Sequence, residues 1–216
     1  MITIPESVER IVRKSPNIEE ALALGILNLS ALARLIRPEI EKETMKEVKD
    51  GAVIVSLNRL SRRILKRTKR TRSAFQSAPD LIVRSNLFEM TFANSNDLPV
   101  KLKNLLNRTA RMQNAFITFT QGINETTLVA GHDLEATVAS AFKGEKLISK
   151  IGRLSSVTVL LPHGTALVPG VYSHILKPLA WEGLNVVEVV STLNELTIVL
   201  EDKNIDLAFS IIKRLF

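Results

Sequence analysis

Between Arg59 and Arg72 the chain carries eight basic residues and no acidic one. Cations at that density can neutralise phosphates. Six to eight such contacts would give a log–log salt slope of about −5 to −7. Ser56, Asn58, Arg59, Arg62, Arg63, Lys66 and Arg67 are the candidate contacts to double-stranded DNA. Arginine can pair with guanine through two hydrogen bonds, and asparagine with adenine. No aromatic residue is interleaved, which argues against single-strand binding by base stacking. The same run also reads as a solvated linker helix or as a contact for another protein.

Other reactive chemistry is sparse. The chain has no cysteine, which excludes disulfides, thiolate nucleophiles and thiolate metal sites. Its three histidines, His132, His163 and His174, lack metal-ligand spacing with one another or with carboxylates. His132 reads as a turn residue and His174 as a helix-surface residue. No glycine-rich phosphate loop and no local Ser-His-acid pattern is present. The sequence therefore predicts no catalytic residue, metal or cofactor, and a protein that is not an enzyme.

The elements that carry these residues divide the 216-residue chain in two. Residues 1–72 hold 16 Lys and Arg against 9 Asp and Glu, and the remaining residues balance at 13 and 13, so the whole net charge of +7 lies in the first third. Such asymmetry suggests a polyanionic partner. That third reads as five helices. Pro5-Glu6 opens one, and Asn17 can cap a second that ends at Gly25. Ser30 can cap a third, Pro38 bounds it and starts a fourth, and Asp50 can cap a long fifth. Val53, Leu57, Leu60 and Ile64 form the fifth helix's apolar stripe. The stretch from Leu29 to Ile36 with its following helix resembles a helix-turn-helix domain, which would place the fifth helix in the major groove. Thr68 to Pro79 reads as a linker. With no leader or long apolar run, a soluble cytoplasmic protein without a membrane contact is expected.

The rest of the chain is a repeat. Ser156 to Phe216 reads strand, helix, strand, strand, helix, with Gly183 ending the first helix and Asp202 or Asn204 capping the last. Tyr172 and Trp181 read as partly buried on the first of these helices. A shift of seventy residues superimposes Leu98-Pro99 on Val168-Pro169, Ala110 on Ala180, Asn124-Glu125 on Asn194-Glu195, Thr127 on Thr197 and Val129 on Val199. One constant offset over so many identities marks a tandem unit.

The stretch VPGVYSHILKPLAWEGLNVVEVVSTLNELTIVLE resembles an ACT domain, the ligand-sensing module of amino-acid metabolism. The resemblance is closest to the paired ACT domains of aspartate kinases and covers about residues 80–216. It rests on Pro169-Gly170 at the helix start, Gly183-Leu184-Asn185 at its end, and the strand pair around Ser191 to Glu195. In the first unit Val100 replaces the glycine. The resemblance implies an α+β fold: an N-terminal helical bundle, then tandem ferredoxin-like βαββαβ units of about 86–154 and 155–216. Asp80 to Ser85 and Leu87 to Ala93 read as two successive strands. No chain is left after Phe216 for a fourth strand in the second unit, so residues 80–85 are expected to supply it by exchange.

The resemblance also implies an amino-acid effector held at the strand-to-helix loops. In the first unit it points to Asn94, Asn96, Asp97, Asn114 and Gln121. Asp97 is open to two roles, acceptor for an ammonium group or helix N-cap. In the second unit it points to His163, Asn185 and Ser191, in a loop without a carboxylate. The implied protein is a homodimeric, amino-acid-responsive transcriptional regulator. Two alternatives stand beside it: a regulatory subunit of a separate enzyme such as aspartate kinase, and an assembly scaffold that binds no ligand. A kinase domain does not fit in residues 1–79.

Overall fold

The computed structural model describes residues 2–73, 79–112, 115–165 and 168–216, with side chains in the first segment as far as Lys66. The chain forms two compact units, residues 1–74 and 75–216.

The helical unit has four helices rather than five: α1 (Ile4–Arg13), α2 (Pro16–Leu24), α3 (Leu29–Thr44) and α4 (Asp50–Ser73). Thr3 and Glu6 form a reciprocal capping box at α1. Ser15, not Asn17, precedes α2, with Pro16 in its first turn, and Gly25 ends it at φ 71°. Asn28, not Ser30, caps α3: its Oδ1 accepts from the N–H groups of Ser30 and Ala31, both at 3.1 Å. Pro38 lies inside α3 and does not divide it. Ile36 and Ile40 flank it and are both buried in the core, so packing holds one helix across the lost backbone hydrogen bond. Asp50 is the first residue of α4, and the stripe Val53, Leu57, Leu60 and Ile64 is buried as its spacing predicts, against Val8, Val12, Leu22 and Ala33. Ser61 Oγ donates to Leu22 O at 2.9 Å and ties α4 to α2.

The sheet unit is one six-stranded antiparallel sheet. Its strands are β1 (Leu81–Ala93), β2 (Ile117–Gln121), β3 (Glu125–Gly131), β4 (Leu147–Leu160), β5 (Glu188–Ser191) and β6 (Glu195–Glu201), in the order β2-β3-β1-β4-β6-β5. Four helices cover one face: α5 (Leu98–Thr109), α6 (Glu135–Ala141), α7 (Val171–Trp181) and α8 (Ile205–Lys213). Phe88, Met90, Leu105 and Leu128 form the core under α5 and α6. Val157, Leu179, Ile198 and Ile212 form the core under α7 and α8. The offset of seventy recurs in the fold, since β3 and β6 begin at 125 and 195, and α6 and α8 at 135 and 205.

The exchanged strand is present, in a more continuous form than the sequence suggested. Residues 80–85 and 87–93 are not two strands but the two ends of β1. The second end pairs with β3, Leu87 to Gly131 through Ala93 to Glu125. The first end instead pairs with the far end of β4, Leu81 to Val159 through Arg84 to Ser156. β4 does the same in reverse, with residues 147–154 completing the first half and 154–160 pairing with β6. Each long strand belongs to both halves. The register shifts between Arg84 and Leu87, and again between Leu87 and Glu89. These are two bulges, the first inserting a residue in β1 and the second in β4. Asn86 and Arg153, at φ 60° and 56°, sit at them. Bulges raise local twist, and no side chain favours this backbone region as glycine does.

Asp202 and Asn204 make no side-chain cap at α8. Asp202 instead accepts from the hydroxyl of the buried Ser155. Trp181 is 81% exposed, against the expectation of partial burial, because it lies on the last turn of α7, off the face of Ile175 and Leu179. Among the described residues no helix is long and apolar enough to cross a membrane.

Arg153 is exposed, so its substitution tests the bulge cleanly. Arg153→Gly relieves a left-handed residue and is expected to stabilise the sheet unit by about 1 kcal/mol. Arg153→Val is expected to destabilise it by more. Urea denaturation of the two variants reads both signs, and equal midpoints would refute the account.

Candidate functional site

The two strand-to-helix loops are equivalent in the repeat but differently built. In the first half, Asn94 is fully engaged. Its Nδ2 donates to Gly122 O at 2.9 Å and to Ile123 O at 3.1 Å, and its Oδ1 accepts from Thr126 Oγ1 at 2.6 Å. It fastens the β1 end to the β2–β3 turn. Ser95 Oγ accepts from the Leu98 N–H at 3.1 Å and donates to Glu145 Oε2 at 2.7 Å. Lys101 Nζ donates to Glu145 Oε1 at 2.6 Å and to Lys143 O at 2.9 Å. The hydrogen bonds from Lys101 and then Ser95 hold the Glu145 carboxyl below its usual range. Its side chain is 6% exposed.

This clamp occupies the start of α5. The Leu98 N–H is taken by Ser95, Pro99 has none, and the N–H groups of Val100 and Lys101 both reach Asp97 O at 3.1 Å. Asp97 stands at the N-cap position, but its carboxylate makes no capping bond and is exposed. Of its two expected roles, the side-chain cap is therefore unused. Asn96 is exposed beside it, and Gln121 is exposed at the end of β2. Asn114 lies outside the described residues.

In the second half the helix start is open. Gly170 precedes α7 at φ 92° with no side-chain cap. Thr165 is 2% exposed in the loop before it, and its Oγ1 has no hydrogen-bond partner among the described residues. His163 Nδ1 is 3.3 Å from Asn194 Nδ2. Asn185 and Ser191 are exposed at the far ends of the following segment and of β5. Among the described residues the loop thus combines a helix start without a side-chain cap, whose backbone N–H groups favour an anion, with a buried hydroxyl. Sequence reasoning missed Thr165 and the Ser95–Glu145–Lys101 clamp. The clamp joins residues up to fifty positions apart, so no local spacing marks it.

On α4, Asn58, Arg59, Arg62 and Lys66 are exposed. Ser56 is not a surface contact: it is buried, and its hydroxyl donates to Ala52 O at 2.9 Å. Arg63 pairs with Glu9 at 2.7 Å. Partial burial raises the Glu9 carboxyl, and Arg63 with Arg13 more than offsets that, leaving it below its usual range. Arg67 has its side chain outside the described region. Among the described residues no group of three or more His, Asp or Glu is placed to hold a metal. His132 Nδ1 lies 2.8 Å from Glu135 Oε2, at the exposed turn before α6.

Solved structures share the architecture of the sheet unit. The ligand-free regulatory subunit of aspartate kinase from Thermus thermophilus matches with a TM-score of 0.53 at 12% identity, over 65% of this chain and 99% of that one. The Thermus flavus regulatory subunit matches with the same values. The aspartate kinase of Clostridium acetobutylicum matches with a TM-score of 0.52 at 14% identity, over 63% of this chain and 34% of that one. No protein-family model matches the chain, and no curated protein matches its sequence. At these identities the likeness establishes the fold of the sheet unit, that of the aspartate kinase regulatory subunits, joined here to a four-helix unit.

The clamp makes a test of loop rigidity. Lys101→Met leaves Glu145 nearly buried with only Ser95, and is expected to cost about 1–3 kcal/mol. Because the folded-state carboxyl is depressed, its contribution is present above the unfolded-state value and lost as pH falls through the folded one. Stability of the parent and Lys101→Met should therefore converge in acid, as read by denaturation at pH 7 and at pH 3.

Proposed function

We propose that this protein is a non-catalytic regulatory subunit whose paired ACT units bind an amino acid and whose helical unit conveys the bound state to a separate enzyme. One observation carries the reading. The match to the regulatory subunit of aspartate kinase from Thermus thermophilus covers 99% of that subunit and 65% of this chain. The effector's carboxylate would meet the uncapped start of α7 near Thr165 and His163. Its ammonium would meet Asp97 or a neighbouring polar group, with Asn96, Asn114, Gln121, Asn185 and Ser191 as further candidates. Asn94 would act by holding the loop. A homodimer, the expected state, would bring such loops against a facing unit. The ligand shifts the regulator only by its differential affinity for two states.

A second reading is supported by the charge distribution. The helical third carries the entire excess of +7, and Asn58, Arg59, Arg62 and Lys66 lie exposed along one helix. On that reading the helical unit binds DNA, with Arg63 and Arg67 adding phosphate contacts, and the protein is a transcriptional regulator.

Thermal melting of the whole protein against each of the twenty amino acids tests the sensor. One of them is expected to stabilise it by about 2.7 kcal/mol at a hundred times its dissociation constant. No shift with any of them would favour the scaffold. DNA binding between 50 and 200 mM salt then separates the two regulators. A steep salt slope, removed by Arg59→Ala with Arg62→Ala, would favour the transcriptional reading; no binding favours the enzyme partner.

A further inference from the structure

The two long strands leave stretches of open edge inside the sheet. β1 lies between β3 and β4, but its pairing with β3 begins only at Leu87. Residues 81–84 are therefore paired with β4 on one side and, among the described residues, with no strand on the other. β4 is open in the same way over residues 147–151, because its pairing with β6 begins at Leu154. Neither stretch belongs to the outer strands, which are β2 and β5. Both carry exposed apolar side chains: Ile82 and Val83 are 46% and 45% exposed, Leu147 and Ile148 48% and 46%. An unpaired edge of this kind is a template for a further strand.

The main-chain pattern decides which groups the first edge offers. The Leu160 N–H donates to Asp80 O at 3.0 Å. Antiparallel bonds alternate from residue to residue, so Asp80, Ile82 and Arg84 bond to β4, while Leu81 and Val83 turn their N–H and C=O groups outward. An incoming antiparallel strand must set its own outward-facing residues against these two. A second copy of the same strand can do so in a few registers. Centred on Leu81, the pairing places Val83 opposite Pro79, which has no N–H to give. Centred on Val83, it places the Arg84 charge opposite Ile82. Centred on Ile82, it pairs Leu81 with Val83 in both directions, sets Ile82 against itself and puts Asp80 opposite Arg84 at both ends. Asp80 and Arg84 are exposed, and by strand alternation they share with Ile82 the face opposite the helices. There the Arg84 guanidinium lies over the Phe116 ring, 5.0 Å from its centroid. Among the described residues neither Asp80 nor Arg84 has an ion pair within its own chain. The edge of β4 has the opposite charge pattern. Lys146 and Lys150 flank it, both exposed, and self-pairing centred on Ile148 would set one against the other.

We propose that residues 80–84 are an interface between two copies of this chain, paired antiparallel about a twofold axis at Ile82. The strands β5-β6-β4-β1 of one copy would continue into β1-β4-β6-β5 of the other, with α7 and α8 of both on one face. Leu81 and Val83 would exchange their free main-chain hydrogen bonds across the axis. Ile82 would bury its exposed side chain on itself, and two Asp80–Arg84 pairs would fix the register. A twofold interface closes on two copies, so assembly stops at a dimer. The segment that completes the second half of each sheet would thereby also join the copies. The inference goes beyond the regulatory reading, since it needs neither an effector nor a partner enzyme.

The chain has no cysteine, so Ile82→Cys introduces a single thiol. Opposed residues at a non-hydrogen-bonded antiparallel pair have Cα atoms about 4.5 Å apart, within reach of a disulfide. Mild oxidation of the whole protein in dilute solution is expected to turn Ile82→Cys into a covalent dimer on non-reducing gels and to leave Ile148→Cys monomeric. Analytical ultracentrifugation over a dilution series reads the charges. Asp80→Lys, which sets lysine against Arg84 at both ends, is expected to raise the dimer dissociation constant about tenfold or more. Adding Arg84→Asp restores opposite charges and is expected to restore the dimer. Both positions are exposed, so neither change touches the core. A protein that is monomeric at every concentration, a dimer that Ile82→Cys does not cross-link, equal cross-linking by Ile148→Cys, or a double variant no tighter than Asp80→Lys would each overturn the proposal.

Discussion

The sheet unit depends on the pairing of β1 with β4. These two strands run through both halves of the repeat, and each gives one end to either half. Without β4 the first half lacks its outer strand. Without the first end of β1 the second half lacks its own. Two bulges near the middle let the strands change partners while keeping the same side chains toward the helices. Leu87 and Leu154 are cross-strand partners at this centre, and both belong to the small core on the helix-free face. The halves are therefore not modules on a string. A shift in one strand's register would turn its side chains over in both.

That coupling bears on regulation. The effector proposed for the strand-to-helix loops would act at an end of β1 or β4. Packed elements with discrete arrangements carry such changes better than flexible linkers do. The two loops differ in what they offer. The first is closed by its own Ser95, Glu145 and Lys101. The second leaves the start of α7 uncapped beside a buried threonine hydroxyl. Of two loops at equivalent places in the repeat, one is tied by side chains and the other has no side-chain cap among the described residues. The helical unit is built by ordinary amphipathic packing, with its cationic residues on the solvent side of α4.

Much of this was legible in the residues. The seventy-residue offset located both halves, and residues 80–85 were legible as the exchanged strand. The stripe from Val53 to Ile64 located α4. What failed had local causes. Pro38 reads as a helix boundary because proline removes a backbone bond, and the burial of Ile36 and Ile40 outweighed that loss. Asn17 and Ser30 are good capping residues two positions after the residues that took the place. Ser56 is off the four-residue stripe yet near enough to the core to be buried, where its hydroxyl bonds one turn back. The clamp on the first loop was invisible, since it joins a loop, α5 and a turn up to fifty residues apart. The continuity of β1 was hidden at Asn86, which separates the two expected strands and lies at a bulge.

The exchange also sets an order of events during synthesis. Residues 81–84 leave the ribosome long before residues 156–159, their partners, exist. At about 5–20 residues per second the wait lasts several seconds, longer than a hairpin needs to form. Through that interval one end of β1 is an unpaired strand edge carrying Ile82 and Val83, and the other end can already join β3. The nascent chain thus passes through a state in which the first half is nearly built and offers a sticky edge to any neighbour on the same messenger. A second copy in that state has the same edge and awaits the same strand, which makes exchange between chains the characteristic error open to this fold.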